Sequence, residues 1–329
     1  MAEDKNLSKI QQPPEIVVLG PPAIFRTYSK EFSSKFRLLK PWESPLPLAE
    51  FLEAHAHSTR AALCSGVFSL SAAVLANLPS LQLVVTTSAG LNHIDLVECR
   101  RRGIAVANAA NIFSADVADL AVGLLLAVLR KISAGNRFVK NGFWPDLETY
   151  PLGFKLGCKK VGIVGLGSIG LELAKRLEPF GCEISYHSRN KKPFVPYVFY
   201  PDIFELAVAS DILILCCALT EQTHHMINRG VLLALGKKGV IINIARGGVI
   251  DEKELVACLA SGEIAGAGLD VFENEPCVPN ELFGFDNVVL SPHCAVFTEE
   301  SFGDLYELVS GNLEAFFLNK PLVSLVEME

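Results

Sequence analysis

The chain has 329 residues, half of them hydrophobic and a fifth charged, with a formal net charge of −7. That length exceeds one ordinary core and points to two domains. The composition fits a soluble globular enzyme, and the acidic balance argues against a nucleic-acid partner.

No apolar run reaches the ~18 residues that span a bilayer, so no membrane segment is expected. The opening MAEDKNLSKIQQPPE is polar and carries acids, unlike a signal or transit peptide. It is expected to be a loose tail, and the protein to be cytoplasmic. The nine cysteines form no CxxC pair, and reduced, mostly buried thiols are expected. His224 and His225 are adjacent and His55 and His57 lack partners, so no metal-ligand spacing is present. All four histidines are expected on loops or the surface.

Four short apolar runs precede residue 110: EIVVLG, AALCSG, LQLVVTTS and IAVAN. Helical stretches over residues 47–54 and 69–78 separate them, which predicts a small parallel α/β domain. Residues 114–139 predict one long helix, with Ser114 and Asp116 as N-cap candidates. Its segment 118–129 is apolar all round and should be buried on more than one side, at a subunit interface or as a central packing helix. Residues 141–157, NGFWPDLETYPLGFKLG, are rich in Gly, Pro and aromatics and predict a loop or arm.

A second series of strand-like runs follows: KKVGIVGLG, EISYHSR, DILILCC, GVIINIA, IAGAGLD and NVVLSPH. Amphipathic helices lie between them. The last stretch, residues 298–318, predicts a helix with apolar Phe302, Leu305, Leu308 and Leu313. Having no strand of its own to cover, it is expected to return to the first domain and make that domain discontinuous. The expected boundaries are 1–108 with 297–329 for one domain and 109–296 for the other.

Gly165-Leu166-Gly167-Ser168-Ile169-Gly170 has the GxGxxG spacing, with a strand before it and a helix after it. In that context the glycines allow a tight turn, and the helix N-terminus offers free N–H groups to a pyrophosphate. A dinucleotide is therefore the expected cofactor. The next strand decides which one. NAD sites place an acid at its end, about 20 residues on. Here Ser188, Arg189 and Asn190 stand there, with Lys191 and Lys192 behind, and residues 188–191 are expected to contact the cofactor. A hydroxyl and a guanidinium hydrogen-bond a 2′-phosphate, so NADPH is expected to be preferred over NADH.

Three residues then stand just after apolar runs: Arg246 in INIARGG, Glu275 in DVFENEP and His293 in SPHCAVF. Open α/β sheets put their ligand-facing loops at such positions. Taken singly, Glu275 reads as a surface residue and Arg246 as a loop cap. Their coincidence after a dinucleotide motif suits reduction of a 2-keto acid. An arginine fork binds the carboxylate and carbonyl oxygen, a histidine delivers a proton, and a glutamate raises the imidazole's proton affinity and orients it.

The segments TTSAGLNHIDL, VADLAVGLLLAVLR, VGIVGLGSIG, INIARGGVIDE, GAGLDVFENEP and NVVLSPH through NLEAFF together resemble the D-isomer-specific 2-hydroxyacid dehydrogenases across nearly the whole chain. The nearest branch resembles the plant glyoxylate/hydroxypyruvate and hydroxyphenylpyruvate reductases, with 2-ketogulonate reductases. The resemblance implies an α/β fold of two Rossmann-like or flavodoxin-like domains with parallel sheets, and an active site in the interdomain cleft. It implies a homodimer and a small 2-keto acid as substrate. It implies Arg246, Glu275 and His293 as the catalytic set; a formate dehydrogenase would be expected to carry glutamine in place of Glu275.

By the same resemblance, the N–H groups of Ala89 and Gly90 anchor the substrate carboxylate, and the turn of Ser65 and Val67 lines the same cleft. Asp270 bonds the nicotinamide carboxamide. Cys217, Ala218, Leu219, Ile244 and Ala245 flank the nicotinamide half, and Thr223, Arg246, His293 and Ala295 also contact the cofactor. Trp144 either reaches a partner's active site or anchors its own loop. There are departures from the family pattern. His293-Cys294-Ala295-Val296-Phe297-Thr298 replaces H-x-G-S-x-T, Ser168 replaces a common arginine, and Phe302 stands where an arginine is common. A tighter, more apolar wall follows. The alternative implied by related corepressors is a nucleotide-sensing binding protein with little turnover.

Overall fold

The computed structural model describes residues 13–327; residues 1–12 of the expected N-terminal tail lie outside the described residues, and Glu15, its last residue, already begins a strand. The chain divides into two compact units. One takes the described residues through Ile112 together with those from Glu299 onward, and the other is Phe113–Thr298.

The first unit begins with β1 (Glu15–Leu19), α1 (Phe25–Lys35), β2 (Arg37–Leu39), α2 (Leu48–His55), β3 (Ala61–Cys64), α3 (Ala72–Ala76), β4 (Leu83–Thr86), α4 (Leu96–Arg102) and β5 (Ala105–Ala107). Its strands run in the order β2-β1-β3-β4-β5, all parallel. β3 and β4 are buried throughout, which is why they read as continuous apolar runs rather than alternating ones. Asp95 caps α4 by accepting from the Glu98 N–H at 2.9 Å, and Gly103 ends it in the left-handed region. β2 is a three-residue edge strand, too short and too exposed to leave a periodic signal in the sequence.

The second unit opens with α5 (Ser114–Leu129) and α6 (Ile132–Lys140). The single helix expected over residues 114–139 is therefore two. Lys131 sits at φ 53° between them, and the carbonyls freed at the break find partners downstream. Phe154 N–H donates to Leu129 O at 2.8 Å, and the Tyr150 hydroxyl donates to Lys131 O at 2.8 Å. Ser114 and Asp116 do not cap α5. Phe113 holds the N-cap position without a side-chain bond, and Asp116 instead accepts from the Thr298 hydroxyl at 2.6 Å. The expected arm contains a short 3-10 helix at Trp144–Thr149.

There follow β6 (Lys160–Val164), α7 (Ser168–Leu177), β7 (Glu183–His187), β8 (Val198–Tyr200), α8 (Ile203–Val208), β9 (Ile212–Leu215), α9 (Arg229–Leu235), β10 (Val240–Asn243), α10 (Glu252–Ala260), β11 (Gly266–Leu269) and β12 (Val288–Leu290). The sheet order is β12-β11-β10-β9-β6-β7-β8, again all parallel. The order reverses between β6 and β9, so the switch point of this doubly wound sheet lies at their carboxyl ends.

Of the two explanations for the apolar α5, the structure supplies the packing one. α5 lies against α7 and β11, with Val117, Ala118, Ala121, Leu124, Leu125 and Val128 buried. A Cβ on Gly268 would meet Leu124 Cβ at 3.1 Å, so the small residues of β11 let the helix approach. Exposed apolar side chains appear further on, at Ile132, Val139, Phe143, Trp144, Leu147 and Leu152.

The chain ends with α11 (Glu299–Phe317), which packs on the first unit. Tyr306 stacks on Tyr28 with ring centroids 4.7 Å apart, and Leu305, Val309 and Leu313 are buried. Asn312, fully buried, accepts from the N–H groups of Val323 and Ser324 and ties the last described residues down.

Candidate active site

The glycine-rich turn joins β6 to α7 at the switch point. Gly165 adopts φ 98°, and a Cβ there would stand 2.7 Å from Cys217 N. No other residue tolerates both demands. A Cβ on Gly170 would stand 2.4 Å from Gly165 O, so the third glycine lets helix and strand touch. Gly167 meets nothing within 4 Å and serves as N-cap of α7 with no side-chain cap. Its open face and the N-terminal turn of α7 behind it form a cradle that suits a pyrophosphate. Leu166 is buried under this turn.

A cavity of about 230 Å³ adjoins the cradle, lined by Leu166, Gly167, Ser188, Arg189, Asn190, Lys192, Cys216, Cys217 and Ala218. Its lining contains Lys192 rather than the expected Lys191, because the turn after β7 is pinned by Lys192 N–H donating to the buried Tyr186 hydroxyl at 2.8 Å. Ser188 Oγ closes the same turn on Asn190 O at 2.6 Å. No acid lines the cavity, and Arg189 makes no ion pair among the described residues. The shape and donors fit a dinucleotide. Lys192, expected only behind the turn, is part of the lining, and Cys216 was not foreseen; the signal for Cys216 was its place at the carboxyl end of β9.

Beyond β9, Thr223 Oγ1 donates to Ala218 O at 2.7 Å and accepts from Thr220 N–H at 2.8 Å, which fixes the loop carrying Leu219. After β10, the buried Asn243 shapes the next turn. Its side chain accepts from Ala245 N–H at 3.0 Å and donates to Arg246 O at 3.0 Å. Ile244 and Ala245 are thereby buried, and Arg246 stands at the exit of the turn. Burial pushes the Arg246 guanidinium down from its ordinary value, and the charge of nearby Glu275 opposes this; it remains cationic.

Gly247 follows, and a Cβ there would fall 1.9 Å from the Phe272 carbonyl carbon. Only glycine allows the Arg246 turn to sit against the 272–275 segment. Glu275 Oε1 accepts from Phe272 N–H at 3.0 Å, and its Oε2 lies 2.7 Å from His293 Nδ1. Burial alone would push Glu275 up. The His293 hydrogen bond, the Phe272 N–H and the charges of His293 and Arg246 outweigh it and hold the carboxyl below its usual value.

His293 adopts φ 50°. Its N–H donates to Asp270 O at 2.8 Å. Asp270, fully buried, accepts from Ser291 Oγ at 2.6 Å, Cys294 N–H at 3.0 Å and Ala295 N–H at 3.2 Å. It therefore builds the loop that presents His293, a role the sequence reading did not assign. Arg246, Glu275 and His293, spread over residues 246–293, converge at the carboxyl ends of β10, β11 and β12.

In the first unit, the turns after β3 and β4 lie side by side. A Cβ on Gly66 would meet Ser88 Cβ at 2.8 Å, and Gly66 N–H donates to Thr87 Oγ1 at 3.3 Å. Ser88 Oγ donates to Gly90 O at 2.7 Å, Thr86 Oγ1 lies 2.9 Å from His93 Nε2, and Asn108 Nδ2 donates to Ala89 O at 2.7 Å. These bonds hold the 88–90 backbone still. Ser65 is buried, whereas Val67 is exposed.

This arrangement, a dinucleotide cradle at the switch point followed by an Arg, Glu and His at successive strand ends, defines a nicotinamide-linked dehydrogenase. The profile of the family described as D-isomer specific 2-hydroxyacid dehydrogenase, NAD binding domain, matches residues 122–295. The chain belongs to this family of oxidoreductases. It is 51% identical over 325 residues to the glyoxylate/hydroxypyruvate reductase HPR3 of Arabidopsis thaliana, covering 98% of this chain and 100% of that one. It is 46% identical over 295 residues to the hydroxyphenylpyruvate reductase of Plectranthus scutellarioides, covering 90% and 94%. Among solved structures, the NADPH-dependent glyoxylate/hydroxypyruvate reductase of Sinorhizobium meliloti, in complex with NADP and malonate, superposes with a TM-score of 0.88 at 35% identity, covering 95% of this chain and 96% of that one.

Proposed function

We propose that this protein is an NADPH-dependent reductase of small 2-keto acids, with glyoxylate and hydroxypyruvate foremost and hydroxyphenylpyruvate or 2-ketogulonate as further substrates, giving the D-2-hydroxy acids. The observation that carries the chemistry is the His293–Glu275 pair at 2.7 Å with Arg246 beside Glu275. The observation that carries the cofactor is the acid-free turn bearing Arg189, Asn190 and Lys192 at the cavity wall.

When bound, the nicotinamide cofactor supplies the hydride. Arg246 holds the substrate carboxylate and carbonyl oxygen with its planar fork. Ala89 and Gly90 offer N–H groups to the same carboxylate from a backbone already fixed by Ser88 and Asn108. As charge grows on the carbonyl oxygen, His293 Nε2 donates its proton there, while Glu275 keeps Nδ1 protonated and the ring oriented. Ala295 and Val296, standing where the family pattern has glycine and serine, make the wall beside His293 tighter and more apolar, which favours small or flat substrate tails.

We also propose a homodimer, supported by the exposed apolar residues of α6 and the arm. A cytoplasmic location is supported by nine free cysteines. No helix among the described residues is long and apolar enough to cross a membrane.

The test is NADPH oxidation by purified protein against glyoxylate, hydroxypyruvate, 4-hydroxyphenylpyruvate and 2-ketogulonate, with NADH in parallel. Turnover with NADPH, lowered about 10²–10⁴-fold in His293→Ala, is the expected result. NADPH binding without turnover on any keto acid would favour the sensing role instead.

A further inference from the structure

Outside the catalytic set, the fold assembles a second group of ligating side chains. The segment Asp270-Val271-Phe272-Glu273-Asn274-Glu275 carries two glutamates, and each faces a histidine. Glu275 takes His293, while Glu273 Oε1 lies 2.7 Å from His225 Nε2. The ring of His224 stacks on that of His225, with centroids 3.9 Å apart and planes 22° apart. One ligand atom from each of His224, His225 and Glu273 lies within 4.8 Å of the others. No linear spacing revealed this, because His225 and Glu273 are far apart in sequence.

We propose that His224, His225 and Glu273 form a binding site for a divalent transition-metal ion of the zinc class. Two imidazoles and one carboxylate are a donor set that such ions accept, with further positions left to water. The site is built rather than incidental. His225 is held at φ 50°, in the left-handed region, by its N–H donating to Gly248 O at 2.8 Å. A non-glycine residue in that conformation needs a supporting structure. Asp251 Oδ2 lies 3.9 Å from His225 Nδ1, too far for a hydrogen bond but adding a second negative charge on the other edge of the ring. Glu273 is fixed in turn by its N–H donating to Glu252 Oε2 at 3.2 Å.

Bonds of ~2.0–2.2 Å in a tetrahedral site set ligand atoms about 3.3 Å apart. Glu273 and His225, now 2.7 Å apart, therefore separate by about 0.6 Å to admit an ion. His224 is exposed and turns about its side-chain bonds to complete the set. An ion here would join the 220–225 loop to the segment that carries Glu275.

The test is titration of tag-free, chelator-treated protein with zinc by calorimetry, and with cobalt(II) by absorption. One ion per chain is expected, with ligand-field bands but no thiolate-to-cobalt charge transfer. His225→Ala and Glu273→Gln should each weaken binding at least tenfold, on the scale known for disturbed metal sites. His224→Ala, at an exposed position, should do so with the melting temperature unchanged. Binding unaltered in all three variants, a charge-transfer band lost in Cys277→Ser, or no binding at millimolar metal would each overturn the proposal. The readout is metal binding, so it is independent of the reductase reading.

Discussion

His293 and Glu275 are joined by one short hydrogen bond, and its effect falls on the carboxylate. The hydrogen bond at 2.7 Å and the Phe272 N–H at 3.0 Å both favour the ionised carboxylate. Because the folded Glu275 lies below its ordinary value of 4.5, it contributes stability that is present above that value. The contribution is lost as pH falls through the lower folded value. Glu275→Gln removes it. The difference in urea midpoint between wild type and Glu275→Gln should therefore be largest near neutral pH and shrink at pH below 4.5. A difference that grows on acidification would contradict the assignment.

At the scale of elements, the decisive features are the turns at the strand ends. The turn after β7 carries Arg189 on the cavity wall with no competing acid. Arg189→Asp should raise the KM for NADPH about 10–100-fold, the worth of one charge-assisted hydrogen bond of roughly 1.5–3 kcal/mol, and leave NADH nearly unaffected. Steady-state kinetics with both cofactors checks this. The turn after β10 depends on Gly247, where any Cβ would collide with the Phe272–Glu273 backbone. Gly247→Ala should cost at least about 1–3 kcal/mol in urea unfolding, because backbone rather than a flexible side chain must move. It should also reduce turnover, since the shift separates Arg246 from Glu275. A fully stable, fully active variant would show that the two segments are not in contact in solution.

At the scale of the whole molecule, the two units use the same physics on two sheets. Both are all-parallel, and in both the turns proposed to face ligand follow carboxyl strand ends. Five exposed apolar side chains, Ile132, Val139, Phe143, Trp144 and Leu147, follow one another along α6 and the arm. Their burial against a second copy predicts that Val139→Asp combined with Leu147→Asp converts a dimer to a monomer in sedimentation velocity. Wild-type protein that sediments as a monomer would sink the dimer proposal.

Much of the fold was legible because parallel strands buried on both faces are written as uninterrupted apolar runs. β1, β3, β4, β6, β9 and β10 all announce themselves this way, as does GxGxxG, whose glycines answer to local backbone demands. The edge strands β2 and β8 were not legible, since three half-exposed residues carry no period. The break at Lys131 was hidden because what rewards it, Tyr150 and Phe154 taking the freed carbonyls, lies some twenty residues downstream. Residue chemistry and strand-end position together determined the identities of Arg246, Glu275 and His293. Tertiary structure alone decided that Asp270 shapes the His293 loop, that Lys192 rather than Lys191 lines the cavity, and that His224, His225 and Glu273 meet. Those three outcomes depend on distances between segments remote in sequence, which no local pattern encodes.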